Sequence, residues 1–122
     1  MSLSDAHRDV AWVVVVANAV VGLWALGANW LAALRAKALW WCIGIAELTV
    51  VAQVVLGVAL VKHDHVELPR LHAFYGFVAI ISIAIIYSYR LQMRHRLYLL
   101  YGLGSLFVMG LGIRAMVLGP GR

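Results

Sequence analysis

Acid is scarce in this chain. Asp and Glu together number five in 122 residues, and four of them, Asp5, Asp9, Asp64 and Glu67, lie in short polar stretches. No two are spaced for paired acid–base work. A glycine-rich phosphate loop, a Gly-x-Ser-x-Gly elbow and a plausible Ser/His/Asp set are also missing. The expectation is therefore a protein without catalysis of its own. Cysteine is nearly absent as well. The single Cys42 cannot close an internal disulfide and reads as a small buried hydrophobe. There is no His-Glu-x-x-His or Cys-x-x-Cys to announce a metal site.

Charge is thin throughout. Charged residues make up 12% of the chain, against about 25% in ordinary soluble domains. What fills the space is apolar: 65% of the residues, gathered in four runs, Ala11–Leu34, Leu39–Val61, Leu71–Tyr89 and Leu97–Leu118. A helix crosses the hydrocarbon core with about 20 apolar residues, and each run has that length. A closed barrel, the other structure lipid permits, needs strands that alternate in polarity, and Val13–Val16 and Ile80–Ile86 do not alternate. The predicted fold is an all-α membrane protein, one four-transmembrane-helix antiparallel bundle with short loops, filling residues 1–122. The first stretch carries Asp5, His7, Arg8 and Asp9 rather than a purely basic segment, so the first run is expected to stay as a helix and not to be cleaved as a signal peptide.

Punctuation supports these limits. Ser4 and Asp5 offer capping oxygens before the first helix. Pro69 stands at the head of the third, where a missing N–H matters least. Gly119-Pro120-Gly121 stops the fourth. Short loops force neighbours to run antiparallel, which puts the first and third loops on one side. Those loops hold Arg35, Lys37, Arg90, Arg94 and Arg96 and no acid. The other side holds Arg8, Lys62, Arg70, Arg114 and Arg122. The count is tied, and the purely basic loops break the tie toward the inside. Both termini and the His63–Arg70 loop then face out, in a multi-pass protein whose Ala/Val/Arg-heavy composition suggests a bacterial plasma membrane. The net charge of +5 sits at helix ends against lipid headgroups, so no nucleic acid is needed to explain it.

Lipid tails are as apolar as leucine, so small and polar residues decide how membrane helices pack. Gly102 and Gly110 are eight apart in the fourth run, as are Gly104 and Gly112, and Gly76, Ala79 and Ser82 lie near one face of the third. The third and fourth helices are expected to pair closely. Glu47 is the one acid deep in a run, about 12 Å past Leu39 at roughly 1.5 Å per residue. Asn18, Ser82 and Ser105 lie at similar depth, with Gln53 further along. An acid so placed is a functional candidate: an uncharged hydrogen-bond donor between helices, a contact to another subunit, or a coupling carboxylate. Arg114, about a turn inside the end of the fourth run, is expected to snorkel or to pair with Asp9, Asp64 or Glu67.

The second loop gathers His63, Asp64, His65 and Glu67, with His72 just beyond. Imidazole and carboxylate suit zinc, copper, nickel or iron, so His63, His65, Glu67 and His72 form a candidate metal site. A haem is the sharper version. His72, with Gly76 one turn on, has the form of a helix ligand beside a gap. The first, second and fourth runs contain no histidine, and His95 falls on the opposite side. A second axial ligand would have to come from His63, His65 or another subunit. Arg90, Arg94 and Arg96 form a cationic strip for anionic lipid or a partner.

Three functions follow. The first is a small accessory or assembly subunit of a larger membrane complex, respiratory or transport, whose partners are the bilayer and other membrane subunits or copies of itself. The second is a metal- or haem-binding electron-transfer or metal-handling module built on the His63–His72 region. The third is a small homodimeric transporter coupled through Glu47.

Overall fold

The computed structural model describes residues 2–65 and 67–119. Pro120, Gly121 and Arg122, which entered the helix stop and the charge count above, lie outside the described residues. Those described are all-helical, and no strand occurs among them. Four helices are long and apolar enough to cross a membrane: α1 (Leu3–Trp30), α2 (Lys37–His63), α3 (Arg70–Ser88) and α4 (Leu97–Val117).

The largest departure from the expected limits is at the start of α1. It begins eight residues before the first apolar run. The cap is Ser2, whose Oγ accepts from the Asp5 backbone N–H at 3.2 Å, while the Asp5 carboxylate accepts from the Ser2 N–H at 3.4 Å. This reciprocal pair satisfies two N–H groups that a helix start otherwise leaves open. With 28 residues, α1 is about 42 Å long at roughly 1.5 Å per residue, more than the hydrocarbon core requires. Its first turns therefore carry polar side chains, His7 among them, on a continuous helical frame. At the other end Arg35 caps it. The guanidinium donates to the carbonyls of Ala28 at 2.7 Å and Asn29 at 3.0 Å, two of the acceptors a helix end leaves unpaired.

In the bundle α1 and α4 are the central pair. Helix α2 lies against α1, and α3 against α4, while α2 and α3 scarcely touch. The expected α3–α4 contact exists, but the tighter glycine seam is between α1 and α4. A Cβ on Gly102 would lie 2.7 Å from the Leu26 nitrogen, and one on Gly22 would lie 2.8 Å from Leu106 Cγ. The glycines eight apart do not form one stripe: Gly102 and Gly112 face α1, Gly104 meets Ile86 of α3, and Gly110 has open space around it.

Two apolar clusters fill the bundle. One is built of Val21, Ala25, Leu39, Ile43 and Tyr101, with Cys42 packed on its edge. The other holds Val14, Val50, Ala79, Val108 and Leu111. Asn18 is only 1% exposed, and its amide donates to the Val14 carbonyl at 2.9 Å, so its polar group is satisfied within its own helix. Outward faces carry large apolar side chains such as Leu23, Ile45, Leu48, Phe77 and Phe107, as a surface facing lipid would. The antiparallel run brings the starts of α1 and α3 to the ends of α2 and α4.

Candidate functional site

Because α2 and α3 stand apart at that shared end, a cavity of about 690 Å³ opens between them, lined by all four helices. Its volume falls in the range of small-molecule and cofactor sites, about 300–1,000 Å³. The deeper wall is apolar, with Val14, Val50, Val54, Ala79 and Leu111. Three polar side chains reach it midway: His7 from α1, Gln53 from α2 and His72 from α3.

The two imidazoles meet edge to face. Their ring centres are 6.0 Å apart and their planes cross at 73°. His72 is held by α4. Its Nδ1 lies 2.7 Å from the carbonyl oxygen of Ala115. A carbonyl can only accept, so Nδ1 carries the proton, and in the neutral ring Nε2 is left with its lone pair. This is the usual support of a metal-binding histidine, whose second nitrogen donates to a backbone carbonyl or carboxylate.

His7 is held from α2. The Gln53 amide nitrogen donates to the His7 carbonyl at 2.7 Å and lies 3.5 Å from the ring Nε2. Two atoms of this pair, His7 Nδ1 and Gln53 Oε1, are buried without a hydrogen-bond partner. Such orphans are rare and costly in a folded protein. Glycines make the room. A Cβ on Gly57 would stand 3.3 Å from His7 Cε1, and one on Gly119 would stand 3.1 Å from His72 Nδ1. Beside Gly76, one turn past His72, nothing lies within 4 Å of where a Cβ would be, so the cavity continues along that face.

Of the four residues singled out as metal ligands, His72 alone lines this cavity. His63 ends α2, and Asp64 is its C-cap. His65 has a positive φ of 53°, and His63, His65 and Glu67 are exposed. Among the described residues no three His, Cys, Asp or Glu side chains converge on one point. His7 was missed because it precedes the apolar run. The signal was present: Ser2-x-x-Asp5 is a capping-box spacing that starts the helix early. His7 also stands seven residues before Val14 and fourteen before Val21, both buried, so helical periodicity puts it on the inward face.

The remaining candidates lie elsewhere. Gln53 is in the cavity as described. Ser82 and Ser105 are buried in the bundle. Glu47 is half-buried on α2, makes no hydrogen bond or ion pair among the described residues, and does not line the cavity. Arg114 makes no ion pair with Asp9, Asp64 or Glu67 among the described residues, and its guanidinium carbon lies 5.9 Å from the centre of the Tyr75 ring. At the opposite end Arg90 stacks 3.7 Å over Tyr87, while Arg94 and Arg96 are exposed on a short 3-10 turn. Comparison of the chain with protein-family models, curated proteins and solved structures finds no match.

Proposed function

We propose that this chain is a small membrane subunit that holds a haem between His7 and His72 and serves electron transfer. One observation carries the reading: two imidazoles from different helices, 6.0 Å apart centre to centre, line one cavity of about 690 Å³. Two rings sharing one metal ion, each nitrogen about 2.0–2.1 Å from it, have centres about 6 Å apart. The Ala115 carbonyl accepts from Nδ1–H and so leaves His72 Nε2 as the ligand, and the unpartnered Nδ1 of His7 belongs to a ring that still needs a partner. A haem held by both His7 and His72 would be suited to electron transfer, the role this reading gives it. Bound haem would supply one-electron exchange between ferric and ferrous iron. The chain's own contribution is to hold the two rings and surround the site with hydrocarbon.

Such a carrier needs a donor and an acceptor, so the reading includes neighbouring membrane subunits as partners. It places the protein in a plasma membrane with the histidine end outward, as the basic first and third loops favour. Glu47 stands apart from the cavity and lends no support to transport.

The test is gentle purification from the native membrane, with a visible spectrum and mass spectrometry on the same sample. A Soret band with a sharp reduced α band is expected, lost in His7→Ala and in His72→Ala. A colourless protein that gains no such spectrum when haem is supplied overturns the proposal. Stoichiometric co-purifying proteins would identify the process.

A further inference from the structure

Four acids, Asp5, Asp9, Asp64 and Glu67, belong to the histidine end of the bundle, yet none of them lines the cavity. The charged residues that do are Arg8 and Lys62, both cations. The selection is by sign, and it calls for an anionic group at that rim. Position agrees. Lys62 is five residues beyond Gly57, where a Cβ would stand 3.3 Å from His7 Cε1, so it lies about 7.5 Å further out along α2 at roughly 1.5 Å per residue. Arg8 turns back toward the first turn of α1, where Nη2 meets Asp5 Oδ1 at 2.8 Å. That bond occupies one of five guanidinium N–H groups and leaves the others for a second acceptor. Lys62 has no ion pair among the described residues. The Ser4 hydroxyl lines the same edge. From the surface inward the cavity therefore presents cations, then imidazoles, then aliphatic side chains.

We infer that Arg8 and Lys62 form a carboxylate subsite. It holds the two acid side chains of a dicarboxylate tetrapyrrole at the outer rim and fixes which edge of the ring enters first. The inference rests on the haem reading and adds to it the charge and orientation of the ligand. Two carboxylates meet two cations, and the hydrophobic edge of the macrocycle descends among Val14, Val50 and Leu111. A lone metal ion would give these cations no role, and it would be repelled by them.

The experiment compares haem with its dimethyl ester, in which both carboxylates are blocked. The full-length chain, produced without haem and placed in lipid nanodiscs, is titrated with each and followed at the Soret band. The parent should bind the free acid about tenfold or more tightly than the ester, a ratio that narrows as salt rises. Arg8→Gln with Lys62→Gln should bind both alike, with an unchanged Soret position, because His7 and His72 remain. Arg8→Lys with Lys62→Arg should restore the preference, which guards against a general defect in the glutamine pair. A glutamine pair that still prefers the free acid overturns the carboxylate subsite and leaves the axial histidines standing. A parent that binds neither compound overturns both.

Discussion

The Ala115 carbonyl accepts the Nδ1 proton of His72 at 2.7 Å, tying the ring on α3 to the last turns of α4. Gly119, one turn beyond Ala115, is the reason the ring fits. A Cβ there would lie 3.1 Å from Nδ1 and 3.2 Å from Cε1 of the same imidazole. Gly119→Ala should therefore rotate the ring off its carbonyl acceptor without removing the ligand. Disturbing the outer support of a metal-bound histidine lowers affinity by about 10–100-fold. A haem titration of that variant should show weakened binding in a protein whose thermal unfolding is little changed; parent-like affinity would mean that the Ala115 contact does not position the ring.

The capping box makes a second demand. His7 is one helical turn and a half from Ser2, and its helical position depends on the first turn being closed. Removing a serine cap destabilises a helix by about 1 kcal/mol. Ser2→Ala should fray the start of α1 and reduce haem affinity several-fold, while the four spans stay intact by circular dichroism. Ser2→Asp, which also caps, should retain parent affinity. Equal binding by all three proteins would show that the first turn is held by something else, with the Gln53 contact to the His7 carbonyl the nearest candidate.

The four long apolar helices were legible because crossing lipid sets a strict rule on length and apolarity, and Ala11–Leu34 or Leu97–Leu118 meets it at a glance. The site was half legible. His72 with Gly76 suggested a ligand beside a gap, and that gap is there. In the sequence its counterpart points to His63 and His65, because His7 precedes the apolar run Ala11–Leu34 and that run holds no histidine. Apolarity marks where lipid begins; hydrogen bonding of the first turn marks where the helix begins. The pairing of α1 with α4 was not legible, since short loops determine direction but not which helices sit side by side, and Gly102 looks the same in sequence whether it faces Leu26 or Ile86.

That seam gives a contrast among glycines. A Cβ on Gly102 would meet the Leu26 nitrogen at 2.7 Å and Cα at 2.9 Å, which are backbone atoms of a packed helix. A Cβ on Gly22 would meet mainly the Leu106 side chain, at 2.8 Å and 2.9 Å, which can turn. Nothing lies within 4 Å of the same position on Gly44. Alanine at Gly102 should lower stability by about 1–3 kcal/mol, as overpacking does. At Gly22 the loss should be smaller. At Gly44 alanine should be neutral or stabilise by up to about 1 kcal/mol, the usual helix preference over glycine. Thermal unfolding in mild detergent would rank the three, and a ranking with Gly44→Ala as the worst would contradict an α1–α4 seam.

Glu47 and Gln53 lie six residues apart on α2 and should behave oppositely. Gln53 donates to the His7 carbonyl at 2.7 Å and is the only described contact that ties the first turns of α1 to α2 by hydrogen bond. Gln53→Ala removes that donor, leaves the His7 carbonyl with only its bond inside α1 and destabilises by about 0.5–1.5 kcal/mol. It should also loosen His7, broadening the Soret band and lowering haem affinity. Glu47 has no hydrogen-bond or ion-pair partner among the described residues and does not line the cavity. Glu47→Gln keeps its shape and removes its ability to ionise. The haem spectrum and affinity should be those of the parent. If instead the substitution abolished haem binding while Gln53→Ala left it untouched, the site would have to be moved about 9 Å along α2, at roughly 1.5 Å per residue, and the His7–His72 pair would lose its role.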